Sequence, residues 1–312
     1  MLHLRGETEA VIVELAILAI RIDEVETLNG DGGTRGGRRP RHVHRFDVRD
    51  AISAGVHRGK PVPKRPTKGI FEIEPRHVDE YFATAGKEYP HHCRATVLSL
   101  TQASEDGLVY TPKEIAALAS LAHTQGMKVH MDGARFANAV AALKCAPADV
   151  SWKAGVDVLC LGATKNGALA AEVVLFFDKK LAEQFVYRRK RAGHLLSKSR
   201  FVGAQMEAWL RDGLWLKLAA HANDCAQKLS RELSTNRLAR LTWPAQANEV
   251  FVVLPKKTIE RLRAAGAEFY EWPVFALPPE MKLKDDESYI RLVTSFVTSE
   301  PEVGRFCALA RG

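Results

Sequence analysis

Two charged residues stand where they could do chemistry together. Asp132 directly follows an apolar run, "MKVHM" at 127–131, and Lys165 follows a second apolar run at 156–161. Both runs have the length and composition of buried strands. In open sheets of parallel strands, ligands bind beyond the carboxyl ends of the strands. If these two strands are neighbours, the carboxylate and the amine face the same crevice.

A lysine in this setting is a candidate nucleophile. An apolar site lowers the pKa of the amine, because desolvation disfavours the ammonium form, and the free amine can form a Schiff base with a carbonyl. Pyridoxal phosphate is the common aldehyde partner, and its ring nitrogen draws electrons only when a nearby carboxylate keeps it protonated. Asp132 and Lys165 fit that cofactor. A plain alternative remains, in which the lysine only reaches solvent and the Asp-Gly pair only forms a turn.

An α/β scaffold would position these residues. The segment "TPKE" at 111–114 predicts a helix with Thr111 as N-cap, Pro112 at the first helical position and Glu114 closing a capping box. This helix has an apolar face and ends at Gly126; it lies between candidate strands at 97–100 and 127–131. Such a β–α–β crossing makes a parallel pair. The residues predicted for the buried face are Ile115, Leu118, Ala119 and Ala122.

The same alternation continues along the chain and then changes. A short helix is predicted at 134–144, strands at 156–161 and 173–177, and one long helix at 203–235. After residue 242 the pattern favours a second, smaller α+β domain. Its predicted elements are strands at 249–255, 268–272 and 289–296 and a helix at 257–265. The fold class is therefore α/β, with a domain at 69–240 and a small domain at 241–312.

The first 68 residues have a different composition from the rest. They hold 13 Lys/Arg against 9 Asp/Glu, half of the net charge of +8, and one aromatic residue, Phe46. The stretch 29–45 is rich in Gly and Arg, and 58–69 is rich in Pro and Lys. These features favour a basic, poorly ordered segment. A nucleic-acid-binding arm is the alternative, but it lacks the interleaved aromatics that stack on bases.

Cysteines and hydropathy bound the remaining classes. The five cysteines are scattered and form no C-x-x-C pair, which favours reduced thiols in a cytoplasmic protein and no metal site. No apolar run reaches the ~18–20 residues that span a bilayer. The nearest run, 10–22, is broken by Glu14 and has no basic leader. We therefore expect neither a membrane partner nor a signal peptide.

Longer motifs resemble a known family. Residues 128–178, with "HMDGAR" and "GATKNG", and residues 188–205 resemble the low-specificity L-threonine aldolases. These belong to the β-eliminating lyase superfamily of fold-type-I pyridoxal phosphate enzymes. The stretches "LSLTQASEDGLVYTPKEI", "ANEVFVVLP" and "IRLVTSF" fit the same family. The likeness runs from about residue 72 to the end, and residues 1–68 do not match. It implies a large domain like that of aspartate aminotransferase.

The resemblance assigns roles to individual residues. Lys165 matches the catalytic lysine that binds the cofactor, and Asp132 matches the partner of the ring nitrogen. Arg135 matches a residue near the cofactor's phenolic oxygen and the substrate carboxylate. Gln102 is a weaker candidate for the rim of the cofactor. In the basic run 188–191, Lys190 or Arg191 is a candidate for the phosphate, with a solvated helix face as the alternative.

Arg291 of "YIRLVTSF" matches the arginine of the small domain that binds the substrate carboxylate. The residue pattern supports this role independently, because Arg291 interrupts an apolar strand. A half-buried guanidinium needs a partner, and its planar fork suits a carboxylate. The alternative is an ordinary ion pair with Asp or Glu.

The implied reaction is cleavage of a β-hydroxy-α-amino acid between Cα and Cβ. L-threonine or L-allo-threonine would give glycine and acetaldehyde, and the family implies a homodimer or homotetramer. Two alternatives stay open. One is β-elimination or transamination on the same fold, and the other is a truncated or frameshifted remnant without catalysis.

This sequence departs from the family before residue 69. Members carry a Gly/Thr turn that binds the phosphate, a histidine that stacks on the cofactor and an acidic–Cys–Gly–Ala–Pro signature. None is found in 1–68, and "NGDGGTRGG" at 29–37 lacks the strand–turn–helix context that phosphate binding needs. The large domain therefore looks incomplete at its N-terminal side, which suggests a shifted reading frame or a misplaced start. We expect weak cofactor binding and impaired aldolase activity.

Overall fold

The structure, a computed structural model, describes residues 12–16, 73–85 and 95–312. The basic stretches at 29–45 and 58–69, predicted to be poorly ordered, lie outside the described residues. The first described elements are strand β1, Ile12–Ala16, and helix α1, Pro75–Ala85.

A five-stranded sheet carries the first half of the fold, in the order β1-β5-β4-β3-β2. Strands β2, β3 and β4 are parallel, whereas β5 runs antiparallel to β4 and β1 antiparallel to β5. The predicted α/β class is confirmed, and the two strands that lead to Asp132 and Lys165 are direct neighbours. The bounds are Val97–Thr101 for β2, Lys128–Gly133 for β3, Val158–Gly162 for β4 and Glu172–Phe176 for β5.

Helix α2, Pro112–Thr124, begins with the predicted capping box. The Thr111 hydroxyl accepts the Glu114 N–H, and the Glu114 carboxylate accepts the Thr111 N–H at 2.8 Å. The four residues predicted for its apolar face are all buried. The next helix, α3, spans Phe136–Leu143 and places Arg135 at its N-terminus, beside the end of β3.

The prediction of one helix over 203–235 is wrong. After the short helices α4, Lys179–Ala182, and α5, Phe185–Arg191, the chain forms two helices separated by a turn. They are α6, Arg200–Leu210, and α7, Leu214–Ser234. In the turn Asp212 has a φ of 52° and Gly213 a φ of 68°. The left-handed conformation of this Asp-Gly pair ends one helix and redirects the chain into the next.

A four-stranded antiparallel sheet, in the order β6-β7-β9-β8, forms the second half. Its predicted strands are present, but that at 268–272 is only two residues long. A final helix, α9, begins with a capping box of Ser299 and Glu302 that sequence reasoning did not single out. The bounds are Arg240–Leu241 for β6, Glu249–Pro255 for β7, Lys256–Ala264 for α8, Tyr270–Glu271 for β8, Glu287–Val293 for β9 and Glu300–Arg311 for α9.

Helix α7 belongs to both cores. Trp215 and Ala219 pack in the core of the first sheet, whereas Leu229 and Leu233 pack against the second sheet. Hydrogen bonds also cross between the halves: the Trp243 Nε1–H donates to the carbonyl of Asp106 at 2.9 Å. The two sheets therefore share a helix and are held in one orientation. None of the helices in the described ranges combines the length and apolarity needed to cross a bilayer.

Candidate active site

Lys165 lies in a single 3-10 turn, Thr164–Asn166, just after β4. The backbone beside it is held firmly: the Asn166 side-chain amide donates to the Trp215 carbonyl, and the Trp209 indole donates to the Asn166 carbonyl, both at 2.8 Å. The Lys165 side chain itself is exposed. The fold thus fixes the base of this side chain and leaves its amine available.

The surroundings of Lys165 lower its pKa from the ordinary value of 10.5. Desolvation by the surrounding chain is the main cause, and the Arg135 charge adds to it. The carboxylates of Glu105, Asp132 and Glu249 act in the opposite direction. These residues come from separate segments, so the described fold brings Lys165 close to a mixed cluster of charges. A lowered pKa increases the fraction of nucleophilic amine near neutral pH.

Asp132 is exposed in β3, in register with Thr101 of β2 and Cys160 of β4. Its Oδ1 accepts the N–H of Ala134 at 3.0 Å, which fixes the carboxylate in a tight turn. Oδ2 has no hydrogen-bond partner within the described ranges, and so can take a proton donor. A side chain at Gly133 would approach the Cys160 carbonyl to 2.6 Å, which explains the glycine after the acid.

Arg135 and Arg291 converge on one buried carboxylate, that of Glu249. The Arg135 Nη2 is 3.0 Å from the Glu249 Oε1, and the Arg291 Nη1 is 3.6 Å from the same oxygen. The Arg291 guanidinium also stacks on the Trp272 ring, 4.0 Å from its centroid. Both predicted carboxylate-binding arginines are therefore brought together, and Arg291 has the acidic neighbour that the alternative reading required.

Neither ion pair has the geometry of a hydrogen bond. Both oxygens of Glu249 and the Nε of Arg291 are buried without a hydrogen-bond partner. Within the described part of the chain, neither guanidinium donates a hydrogen bond. Burial raises the pKa of Glu249, whereas the charges of Arg135 and Arg291 lower it. Two largely buried guanidiniums with unused donors suit the binding of a carboxylate ligand.

Sequence reasoning missed Glu172, which supports the lysine turn. Its carboxylate lies beside Thr164, the residue before Lys165, whose backbone and side chain lower the pKa of Glu172. Burial raises the pKa of Glu172, and the charge of Asp132 raises it further. A side chain at Gly162 would come within 2.8 Å of the Glu172 Oε2. A Glu at the head of an apolar strand, in "AEVVLFF", was the available signal.

Gln102 is fully buried, and its amide is occupied inside the chain. Its Nε2 donates to the Tyr110 carbonyl at 2.8 Å, and its Oε1 accepts the Tyr110 N–H at 3.0 Å. These bonds hold the loop after β2 and leave the rim role of Gln102 as a prediction. Lys190 and Arg191 lie exposed on α5, as a solvated helix face would.

A separate group of polar side chains, Ser99, His130 and Cys160, lies on the neighbouring strands β2, β3 and β4. The His130 Nδ1 is 2.8 Å from the Ser99 hydroxyl, and its Nε2 is 3.3 Å from the Cys160 sulfur. Burial lowers the pKa of His130 and raises that of the Cys160 thiol to about 12. The thiol therefore stays protonated. No group of side chains suited to hold a metal ion occurs among the described residues.

Comparison with known proteins decides the family. The sequence model of the beta-eliminating lyase family matches residues 32–257. The chain belongs to this family. The family match begins at residue 32, whereas the resembling motifs begin at about residue 72. Part of the basic segment 1–68 therefore lies inside the family match.

Two curated relatives in this family are both named low specificity L-threonine aldolase. One, from Pseudomonas sp. (strain NCIMB 10558), is 48% identical over 180 residues, and one from Pseudomonas aeruginosa is 49% identical over 180 residues. Each alignment covers 58% of this chain and 52% of the relative. The chain thus spans about half the length of the curated relatives that it matches.

A solved structure shows that the fold is that of the family. The threonine aldolase of Leishmania major superposes with a TM-score of 0.69 at 25% identity, covering 77% of this chain and 67% of that one. The chain accordingly has the fold of the type-I pyridoxal phosphate enzymes. The described residues fit that cofactor: an exposed lysine with a lowered pKa, a carboxylate with a free oxygen, and two arginines with unused donors.

Proposed function

We propose that the chain is a pyridoxal-phosphate-dependent carbon–carbon lyase that cleaves L-threonine and L-allo-threonine to glycine and acetaldehyde. One observation carries the proposal: Asp132 and Lys165 lie at the carboxyl ends of neighbouring parallel strands. The names of the curated relatives point to the same activity. Weak cofactor binding, expected from the departure before residue 69, would lower the rate and leave the reaction class the same.

Lys165 and Asp132 would hold the cofactor. Lys165 would supply the nucleophilic amine for the cofactor's aldehyde, because desolvation keeps more of that amine uncharged. Asp132 would accept a hydrogen bond from the protonated ring nitrogen and so keep that nitrogen charged. When bound, pyridoxal phosphate supplies an electron sink for the pair released by the breaking Cα–Cβ bond. Glu172, in register with Gly162 and beside Thr164, would support the turn that carries the amine.

Arg135 and Arg291 would bind the α-carboxylate of the substrate. Their donors are unused within the described chain, and both side chains are largely buried, where a charge-assisted hydrogen bond is strong. Fixing the carboxylate fixes the orientation of the amino acid, so that the scissile bond is set by the protein rather than by rotation in solution.

Product analysis tests the reaction class. The purified chain with excess pyridoxal phosphate is given threonine and, separately, serine. Glycine and acetaldehyde from threonine support the proposal. Ammonia and a keto acid would instead favour β-elimination, and conversion of the cofactor to its amine form would favour transamination. If the wild type forms no more of any product than the Lys165→Ala variant does, the result would favour a non-catalytic remnant.

We further propose that the protein is cytoplasmic and forms a homodimer or homotetramer. Each chain would consist of a large domain at 69–240 and a small domain at 241–312. The scattered free thiols support the compartment. Sedimentation of the purified chain tests the assembly, and a monomer at micromolar concentration would contradict it.

A further inference from the structure

Glu249 is a buried acid between two cations. Its side chain is 0% exposed, and those of Arg135 and Arg291 are 12% and 18% exposed. It occupies the first position of β7, two residues from Phe251, which is in register with Arg291 of β9. Arg135 reaches it from the first sheet. One carboxylate therefore joins arginines from both halves of the fold.

The contacts of Glu249 are electrostatic rather than directional. Neither of its oxygens is hydrogen-bonded, although the Arg135 Nη2 is 3.0 Å and the Arg291 Nη1 is 3.6 Å from Oε1. Two guanidiniums this close repel each other, and burial strengthens that repulsion. A fixed negative charge between them offsets it without using up their N–H donors. The Trp272 ring packs against the Arg291 guanidinium, with 4.0 Å between the Arg291 Cζ and the ring centroid.

We propose that Glu249 is a positioning residue for the substrate carboxylate: it holds the Arg135 and Arg291 guanidiniums together while leaving their donors free. This inference rests on the proposed function, because it concerns the same binding site. In this role Glu249 acts through the two arginines that it contacts. Its loss should therefore weaken the binding of amino acids and leave the binding of simple amines unchanged.

A pair of ligands isolates the carboxylate. Glycine carries an amine and a carboxylate, whereas methylamine carries only the amine. Both are titrated into the cofactor-saturated chain, and the change in cofactor absorbance gives each dissociation constant. In Glu249→Gln we expect glycine to bind about tenfold more weakly, the size of effect expected when a charge-assisted contact is disordered. Methylamine affinity should stay as in the wild type.

Glu287→Gln is the matched control. Glu287 pairs with Arg240 at 2.5 Å at the other end of the same two strands, where it lies opposite Pro255. The control loses the same charge from the same sheet and should bind both ligands like the wild type. Glu249→Asp keeps the charge on a shorter side chain. It provides a second variant if Gln prevents folding, and its glycine affinity should lie between those of wild type and Gln.

Four outcomes would overturn the inference. Unchanged glycine affinity in the folded Glu249 variants would remove the positioning role. Tighter glycine binding would mean that Glu249 competes with the ligand for the arginines. An equal loss for glycine and methylamine would indicate general damage to the site. If the wild-type chain binds neither ligand at saturating cofactor, the proposed function falls and this inference falls with it.

Discussion

Lys165 differs from an ordinary surface lysine because its pKa is lowered although the residue is exposed. The cause is desolvation by the neighbouring chain together with the charge of Arg135. Below the folded-state pKa the amine is charged in both the folded and the unfolded chain. The folded state then bears the full free-energy cost of keeping a charged amine in a desolvated site. As pH rises from the folded-state pKa to 10.5, the folded amine is already neutral and that cost disappears.

Replacing Lys165 by Met should expose this cost. Without cofactor, the Lys165→Met variant is expected to be more stable than the wild type near neutral pH. The difference should shrink as pH rises toward 10.5. Urea unfolding between about pH 7 and 10 measures it, with the exposed Lys113→Met as the control for the loss of one lysine. A difference that grows with pH would contradict the lowered pKa.

Asp132→Asn should separate cofactor attachment from turnover. The amide keeps the shape and the turn to Ala134 but removes the charge that holds the ring proton. We expect the covalent bond to Lys165 to persist and the rate of glycine formation from threonine to fall by about 10²-fold or more. Asp149→Asn is the control, because Asp149 lies in the turn that precedes β4, at the end of the strand remote from Lys165. Full turnover in Asp132→Asn would remove Asp132 from the mechanism.

The residues of the site differ in how far sequence alone could locate them. Asp132 and Lys165 stand at the ends of apolar runs, so local pattern was sufficient to propose them, whereas Arg135 was proposed only from the family resemblance. Glu249 was missed because its importance depends on two arginines that approach from distant segments. The role of Gln102 was proposed without knowledge of the Tyr110 backbone, to which both ends of its amide are bonded.

Turns between elements depend on backbone conformation more than on hydrophobic pattern. Helix α2 was predicted with its cap because the signals, Thr111 through Glu114, are local. The apolar pattern of 203–235 continues through the turn at 211–213, and so concealed it. The Asp-Gly pair was the correct signal, since both residues adopt a positive φ there.

Two glycine substitutions test this at the level of the element. At Gly213 and Gly304 an added methyl group would meet nothing within 4 Å, so packing does not distinguish them. Gly213 has a φ of 68°, and Gly304 lies inside helix α9. We expect Gly213→Ala to destabilise by about 1 kcal/mol and Gly304→Ala to stabilise by about 1 kcal/mol. Urea unfolding measures both, and changes of the same sign would contradict the prediction.

At the scale of the whole molecule, the candidate site takes its residues from both sheets. Lys165 and Asp132 come from the first sheet, and Glu249 and Arg291 from the second. The α/β class and most strands of the second sheet could be predicted from alternating apolar runs. The sharing of helix α7 by both cores could not, because either half of that helix shows only an apolar face and not its partner.

Ligands that bridge the sheets should stabilise the whole fold. Pyridoxal phosphate with glycine, each at about 100 times its dissociation constant, is expected to raise the free energy of unfolding by at least about 2.7 kcal/mol. The increase should be much smaller in Lys165→Ala, which lacks the covalent bond. Thermal unfolding with and without ligands measures it. Equal increases in both proteins would place binding elsewhere.

Reductive trapping tests the central assignment most directly. The purified chain is saturated with pyridoxal phosphate, reduced with borohydride so that a lysine–cofactor bond becomes permanent, digested, and mapped by mass spectrometry. The account predicts that the label lies on Lys165, even if the affinity is weak, and that Lys165→Ala carries none above background. Label spread evenly over exposed lysines, or concentrated on a lysine other than Lys165, would contradict it.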